Sequence, residues 1–118
     1  MENRRFKIQS EIIYQGPTAS KITINLTKGL SSFEWVVFET GSGTGTPIDL
    51  SQRWFAVADL KYNPNASTDD NLYNDYYVCV HATSMNGVGW YFLNNTQIRL
   101  NRFDNSGSLY RIFGVKIV

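Results

Sequence analysis

The chain has 118 residues, a net charge of +1, 42% hydrophobic and 14% aromatic residues, a balance that excludes a disordered tail and predicts one packed domain over residues 1–118. Its scattered Lys and Arg leave no electrostatic footprint for nucleic acid or an anionic membrane surface. Cys79 is the one cysteine, which excludes an internal disulfide, so packing and strand pairing must hold the fold, and a reducing cytoplasm suits its synthesis.

The opening stretch MENRRFKIQSEIIY is charged early, but Lys7, Gln9 and Glu11 interrupt any apolar core, so it does not read as a signal peptide. No uninterrupted apolar run approaches the roughly 18 residues of a membrane-spanning helix, so no membrane insertion is expected. Instead RFKIQSEIIY alternates through Phe6, Ile8, Ser10, Ile12 and Tyr14, which predicts a strand with those side chains on one face. After the turn QGPTAS, KITINLT places Ile22, Ile24 and Leu26 on one face and Lys21, Thr23, Asn25 and Thr27 on the other, the pattern of a half-buried antiparallel strand.

FEWVVFET and RWFAVADL follow as β-branched and aromatic strands, joined by the glycine-rich TGSGTGTP. That loop lacks the Lys-Ser/Thr ending of a P-loop and precedes a proline rather than a helix, so phosphate binding is not expected there. KYNPNASTDDNLYND, residues 61–75, is the longest irregular stretch, and loops of that length in compact domains are usually functional. DYYVCVHAT, GVGWYFL and TQIRLNR continue the alternating strands. The Asn94-Asn95 pair between the last two suits a two-residue hairpin turn, because asparagine tolerates positive φ. After FDNSGS, the chain closes on LYRIFGVKIV, a strand with apolar residues on both faces. Pairing inside the sandwich or a subunit contact would explain that, and Gly114 marks a bulge or a close backbone approach.

About eight short strands with turn-rich joints predict an all-β fold, a two-sheet antiparallel β-sandwich. A jelly roll and a barrel are among the closures that eight strands allow.

Candidates for chemistry are few. Cys79 and His81 share a strand face, the sharp reading being a nucleophile pair and the bland one a packed cysteine beside a satisfied histidine. One Cys and one His cannot supply a structural zinc set. Glu34 and Glu39 lie on opposite faces of their strand, which argues against a shared acid–base role. Asp69, Asp70 and Asp75 with Asn71 and Asn74 offer oxygen ligands for calcium, but in no EF-hand spacing, so a solvated loop is the expectation. Trp35, Trp54 and Trp90 each lie in an apolar strand and are expected in the core rather than stacked on sugar rings. No catalytic residue, metal or cofactor is therefore expected. The recognition surface is placed on the long loop, at Tyr62, Asn63, Asn65, Asp69, Asp70, Tyr73 and Asn74, where tyrosine supplies contact area with a polar tip.

Two segments carry a family resemblance. ITINLTKGLSSFEWVVFET, residues 22–40, and IRLNRFDNSGSLYRIFGVKIV, residues 98–118, resemble the strand–turn–aromatic strand pattern and the closing strand of small β-domains in bacteriophage tail fibres and related receptor-binding tail proteins. Ile112, Gly114 and Val115 match the Ile/Val-x-Gly-Ile/Val core of such endings. The chain departs from that pattern in having no shaft-like repeat. The resemblance implies a non-enzymatic virion protein, a tail-fibre tip, tail knob or capsid decoration, made in the host cytoplasm and commonly a homotrimer. Its partners would be other virion proteins or a bacterial surface glycan or receptor. The rival reading is a carbohydrate-binding module using exposed Trp or Tyr as stacking platforms. A third is a small hydrolase built on His81 or the carboxylates.

Overall fold

The computed structural model describes residues 7–42, 50–67, 74–80 and 86–118. Eight strands run β1 (Ile8–Thr18), β2 (Thr23–Asn25), β3 (Trp35–Ser42), β4 (Leu50–Ala56), β5 (Tyr76–Cys79), β6 (Gly87–Phe92), β7 (Gln97–Asp104) and β8 (Gly107–Ile117). They form two four-stranded antiparallel sheets, a front sheet in the order β1-β8-β3-β4 and a back sheet in the order β2-β7-β6-β5. This is the all-β sandwich expected from the alternation. The β1-β8 and β2-β7 pairs join distant parts of the chain, while β3-β4 and β5-β6 pair neighbours.

The core fills the space between the sheets because one parity of each strand is apolar and faces inward. At its centre the rings of Phe38 on β3 and Trp90 on β6 stack at 4.0 Å and 9° between planes. Phe55, Tyr76 and Phe92 close around them, Phe55 and Phe92 edge-on to Trp90 and Tyr76 parallel to it. Residues 26–34 plug one end: Leu30 is fully buried, and backbone bonds from Leu26 to Thr96, Thr27 to Ile13 and Leu30 to Asn95 tie the segment to both sheets.

Two local expectations change. Ordinary alternation puts Ile13 in the core and Ile8, Ser10 and Ile12 outward, and the bulge between Ile12 and Tyr14 takes Tyr14 off that outward parity to pack against the core. The Asn94-Asn95 joint is a three-residue connection, since the Leu93 N–H donates to Gln97 O at 2.9 Å. There the Asn94 side chain accepts the Thr96 N–H at 2.9 Å, an Asx-type turn that needs no positive φ. Among the described non-glycine residues only Asn105 has positive φ, 54°, in the Asn105-Ser106 corner that carries the chain from the back sheet to the front one.

The closing segment is an interior strand. β8 pairs with β1 on one side and β3 on the other, and Gly114 meets the ring of Phe33, where a Cβ would overlap the ring. Gly114→Val is therefore expected to cost about 3 kcal/mol, by overpacking a site closed on both sides. Urea denaturation checks it, and wild-type stability would show that Phe33 moves away freely.

Candidate binding surface

The outward parity of the front sheet carries an unusual amount of apolar surface, and strand register sets it out in rows. One row runs Ser10, Val115, Trp35 and Ala56; the next runs Ile12, Phe113, Val37 and Trp54; the third brings Arg111 and Glu39 beside Gln52. Ile8 and Ile117 pair beyond the first row. Of these, Ile8 is 65% exposed and Trp54 52%, with Ile12, Ile117 and, further along β4, Leu50 also exposed. Trp35 meets Trp54 edge-to-face at 6.3 Å between centroids. A shallow cleft of about 220 Å³ runs beside Trp54, lined by Ile8, Ser10, Val37, Gln52, Phe113 and Val115.

The polar end of this face is internally satisfied. Arg111 Nε donates to Glu39 Oε1 at 2.6 Å, Gln52 Nε2 donates to Glu39 Oε2 at 3.3 Å, and the guanidinium lies 5.1 Å from the Phe113 ring centroid. Glu39 is 4% exposed, so its charge depends on these partners. Arg111→Met is expected to cost about 2 kcal/mol, less than for a wholly buried pair because the arginine is partly solvated. Restoring stability with a second substitution, Glu39→Gln, checks it: the double variant should be more stable than Arg111→Met alone.

Of the loop residues expected to form a recognition site, Tyr62, Asn63, Asn65 and Asn74 lie among the described residues. Tyr62 is exposed, pairs with Phe92 as a single parallel bridge and sets its ring 6.3 Å from the Phe92 ring. The Asn63 N–H donates to Phe92 O at 2.8 Å, and Asn65 is exposed just beyond. Asn74 turns away onto the back sheet, where its Nδ2 donates to Asn101 Oδ1 and its amide packs over Gly89. Lys61 Nζ and Asp75 Oδ1, 3.0 Å apart, tie the two stems of the loop together. Asp69, Asp70 and Tyr73 lie outside the described residues, as do Asn71, His81 and most of TGSGTGTP. The proposed calcium set and the Cys79–His81 pair thus fall partly outside them. Among the described residues no three His, Cys, Asp or Glu side chains converge to hold a metal ion. Glu34 and Glu39 do face apart: the Glu34 carboxylate accepts the Ile117 N–H at 3.1 Å, while Glu39 sits in the outward ion pair.

Trp90 is fully buried, as expected of all three tryptophans, but Trp54 is half exposed and Trp35, only partly buried, stands beside it on the outward face. The missed signal was local. Trp54 and Phe55 are neighbours on a strand, so only one can face the core, and Phe55 holds the inward position against Phe38 and Trp90.

The back sheet's outer face carries a polar cluster. Tyr77 lies flat where Gly87 has no side chain, its hydroxyl donates to Asp104 Oδ2, and Arg102 caps its ring at 4.5 Å while pairing with the same carboxylate at 2.9 Å. Burial, then the Asp104 hydrogen bond and charge, raise the Tyr77 pKa well above 10. In the unfolded chain Tyr77 ionises near 10 while the folded protein holds its proton, so stability should fall as pH rises above about 10. Thermal unfolding between about pH 8 and 11 checks this, with Tyr77→Phe expected to flatten part of the slope. Burial raises Tyr14 and Tyr62 in the same direction, so part of the slope should remain.

No protein-family model matches the chain, and no curated protein aligns with it significantly.

Proposed function

We propose that this chain is a non-enzymatic attachment or assembly module, a bacteriophage or prophage virion protein such as a tail-fibre tip, tail knob or capsid decoration. Its contact with a partner is made through the outer face of the front sheet. The observation that carries this reading is that face itself: Ile8, Ile12, Trp54 and Ile117 are exposed on it, and Ile8 and Trp54 line one cleft with Val37, Phe113 and Val115, exposed apolar surface of the kind that marks interaction sites. The two segments that resemble tail-fibre domains also lie together. Residues 22–40 supply β2 and β3, residues 98–118 supply β7 and β8, and these pair as β2-β7 and β3-β8 across both sheets. The test is capture of the purified chain by bacterial cells and by purified phage particles. Trp54→Glu and Ile8→Glu should each reduce capture at least about tenfold, as hot-spot losses do. Capture of both variants at the wild-type level would sink the reading.

One observation favours a second reading, a carbohydrate-binding module. Trp54 presents an exposed ring beside a cleft of about 220 Å³ that also holds the polar groups of Ser10 and Gln52, and an indole face with flanking hydrogen-bonding groups is suited to a sugar ring. A glycan array separates the two: sugar binding lost in Trp54→Ala but kept in Tyr62→Ala would establish the module, and no binding to any glycan would remove it.

A further inference from the structure

We infer that the occupant of the front sheet's outer face is the same face of a second copy of this chain, so that two sandwiches stack sheet on sheet about a twofold axis. This rests on the reading of that face as an assembly contact, with the second copy covering it in place of a cell-surface or other virion partner.

The first argument is shape and area. Four strands spaced by about 4.8 Å and rows spanning about seven residues at about 3.3 Å each give a face of roughly 20 by 25 Å. In plan that is about 500 Å² per copy and about 1,000 Å² for a stacked pair, before side-chain relief is counted, which meets the size a specific interface must clear. Two sheets with the same twist pack face to face about 10 Å apart at a shallow angle, the arrangement already used inside this sandwich. The apolar rows Ile12–Phe113–Val37–Trp54 and Ser10–Val115–Trp35–Ala56 mix large and small side chains, and the cleft beside Trp54 gives a projecting side chain of the other copy a hollow to enter.

The second argument is charge. A face that meets itself brings every charge near its own kind, and unpaired charges would forbid the contact. Among the described residues this face carries one acid and one base, Glu39 and Arg111, already joined at 2.6 Å. Stacking therefore neither strands a charge nor opposes two like ones. The back sheet's outer face, with exposed portions of Tyr77, Arg102 and Asp104, lacks this apolar continuity.

The third point is symmetry. One surface meeting itself closes at two copies, whereas a threefold assembly needs two different surfaces in contact. The pair is thus a different assembly from the homotrimer that the tail-fibre resemblance implies.

The experiment is sedimentation velocity of the full chain between about 1 and 200 μM, the range in which an interface near the minimum area dissociates. A reversible monomer–dimer equilibrium is expected, with tryptophan emission moving to shorter wavelength as Trp54 is covered. Trp54→Glu and Ile8→Glu should each weaken the dimer at least about tenfold. Both side chains are more than half exposed in the single copy, so both variants should keep the unfolding midpoint that the wild type shows where it is monomeric, and Asn25→Lys on the back sheet should leave the dimer unchanged. A monomer throughout, a trimer, or a dimer indifferent to both face variants overturns the inference. If the chain is monomeric while the face variants still lose capture by cells or particles, the second copy is wrong and the assembly face stands. If the variants lose neither, both readings fall.

Discussion

Trp90→Ala is expected to lower stability by about 4 kcal/mol, enough to leave a domain of this size largely unfolded at room temperature. Trp90 is fully buried and contacts four other rings, with Phe38 stacked on it across the two sheets. Truncation opens a cavity between the sheets, and rings held by strands on both sides cannot collapse into it without shifting the sheets themselves. Trp90→Phe should cost far less, under about 1.5 kcal/mol, because it keeps a ring and removes the indole N–H, which is buried without a hydrogen-bond partner among the described residues. Chemical denaturation of both variants checks this. If alanine and phenylalanine cost the same, the Phe38–Trp90 stack is not what joins the sheets.

The second large effect is at the carboxyl end. Deleting Phe113–Val118 should abolish folding rather than trim a tail. Those residues pair with Ile8–Ile12 on one side and Trp35–Val37 on the other. They also accept the Glu34 N–H at Val115 O and donate the Val118 N–H to Lys7 O. Without them β1 loses half its ladder, β3 loses its neighbour at one end, and Phe33 is exposed where Gly114 now covers it. Unpaired backbone in a sheet interior is strongly unfavourable. The check is circular dichroism and a thermal melt of the truncated chain; a cooperative transition near the wild-type midpoint would overturn it.

Much of this fold was legible in the chain. Strict alternation in KITINLT put Ile22, Ile24 and Leu26 on one face; Ile24 and Leu26 are buried, while Ile22, just ahead of β2, is exposed. The doubly apolar ending pointed to an interior strand or a subunit contact, and β8 is interior to its sheet. Errors arose where a single residue changes parity or competes for a turn. The bulge at Ile13 takes Tyr14 off the face it was expected to share with Ile8 and Ile12, and side-chain bonding by Asn94 replaces the expected two-residue turn. Neither event leaves a mark in hydrophobic periodicity, because a bulge costs one residue and an Asx turn uses the same residue types as a tight hairpin.

The candidate surface was less legible than the fold. Tyr62, Asn63 and Asn65 remain near one another, while Asn74 is taken up by the back sheet through Asn101. The face now proposed was visible only as a puzzle, the odd positions Phe113, Val115 and Ile117 of the last strand being apolar with no declared cover.

By itself the sequence determined the class of the fold, since alternation and turn residues act over a few neighbours and need no knowledge of the rest of the chain. Only the tertiary structure decided that Trp54, Ile8 and Phe113, residues far apart in the chain, stand on one outward face. Their meeting depends on β1 and β3 both pairing with β8, and on a register that links residues about 60 to 110 positions apart. Long-range register is set by the summed packing of both sheets, and no local stretch encodes it.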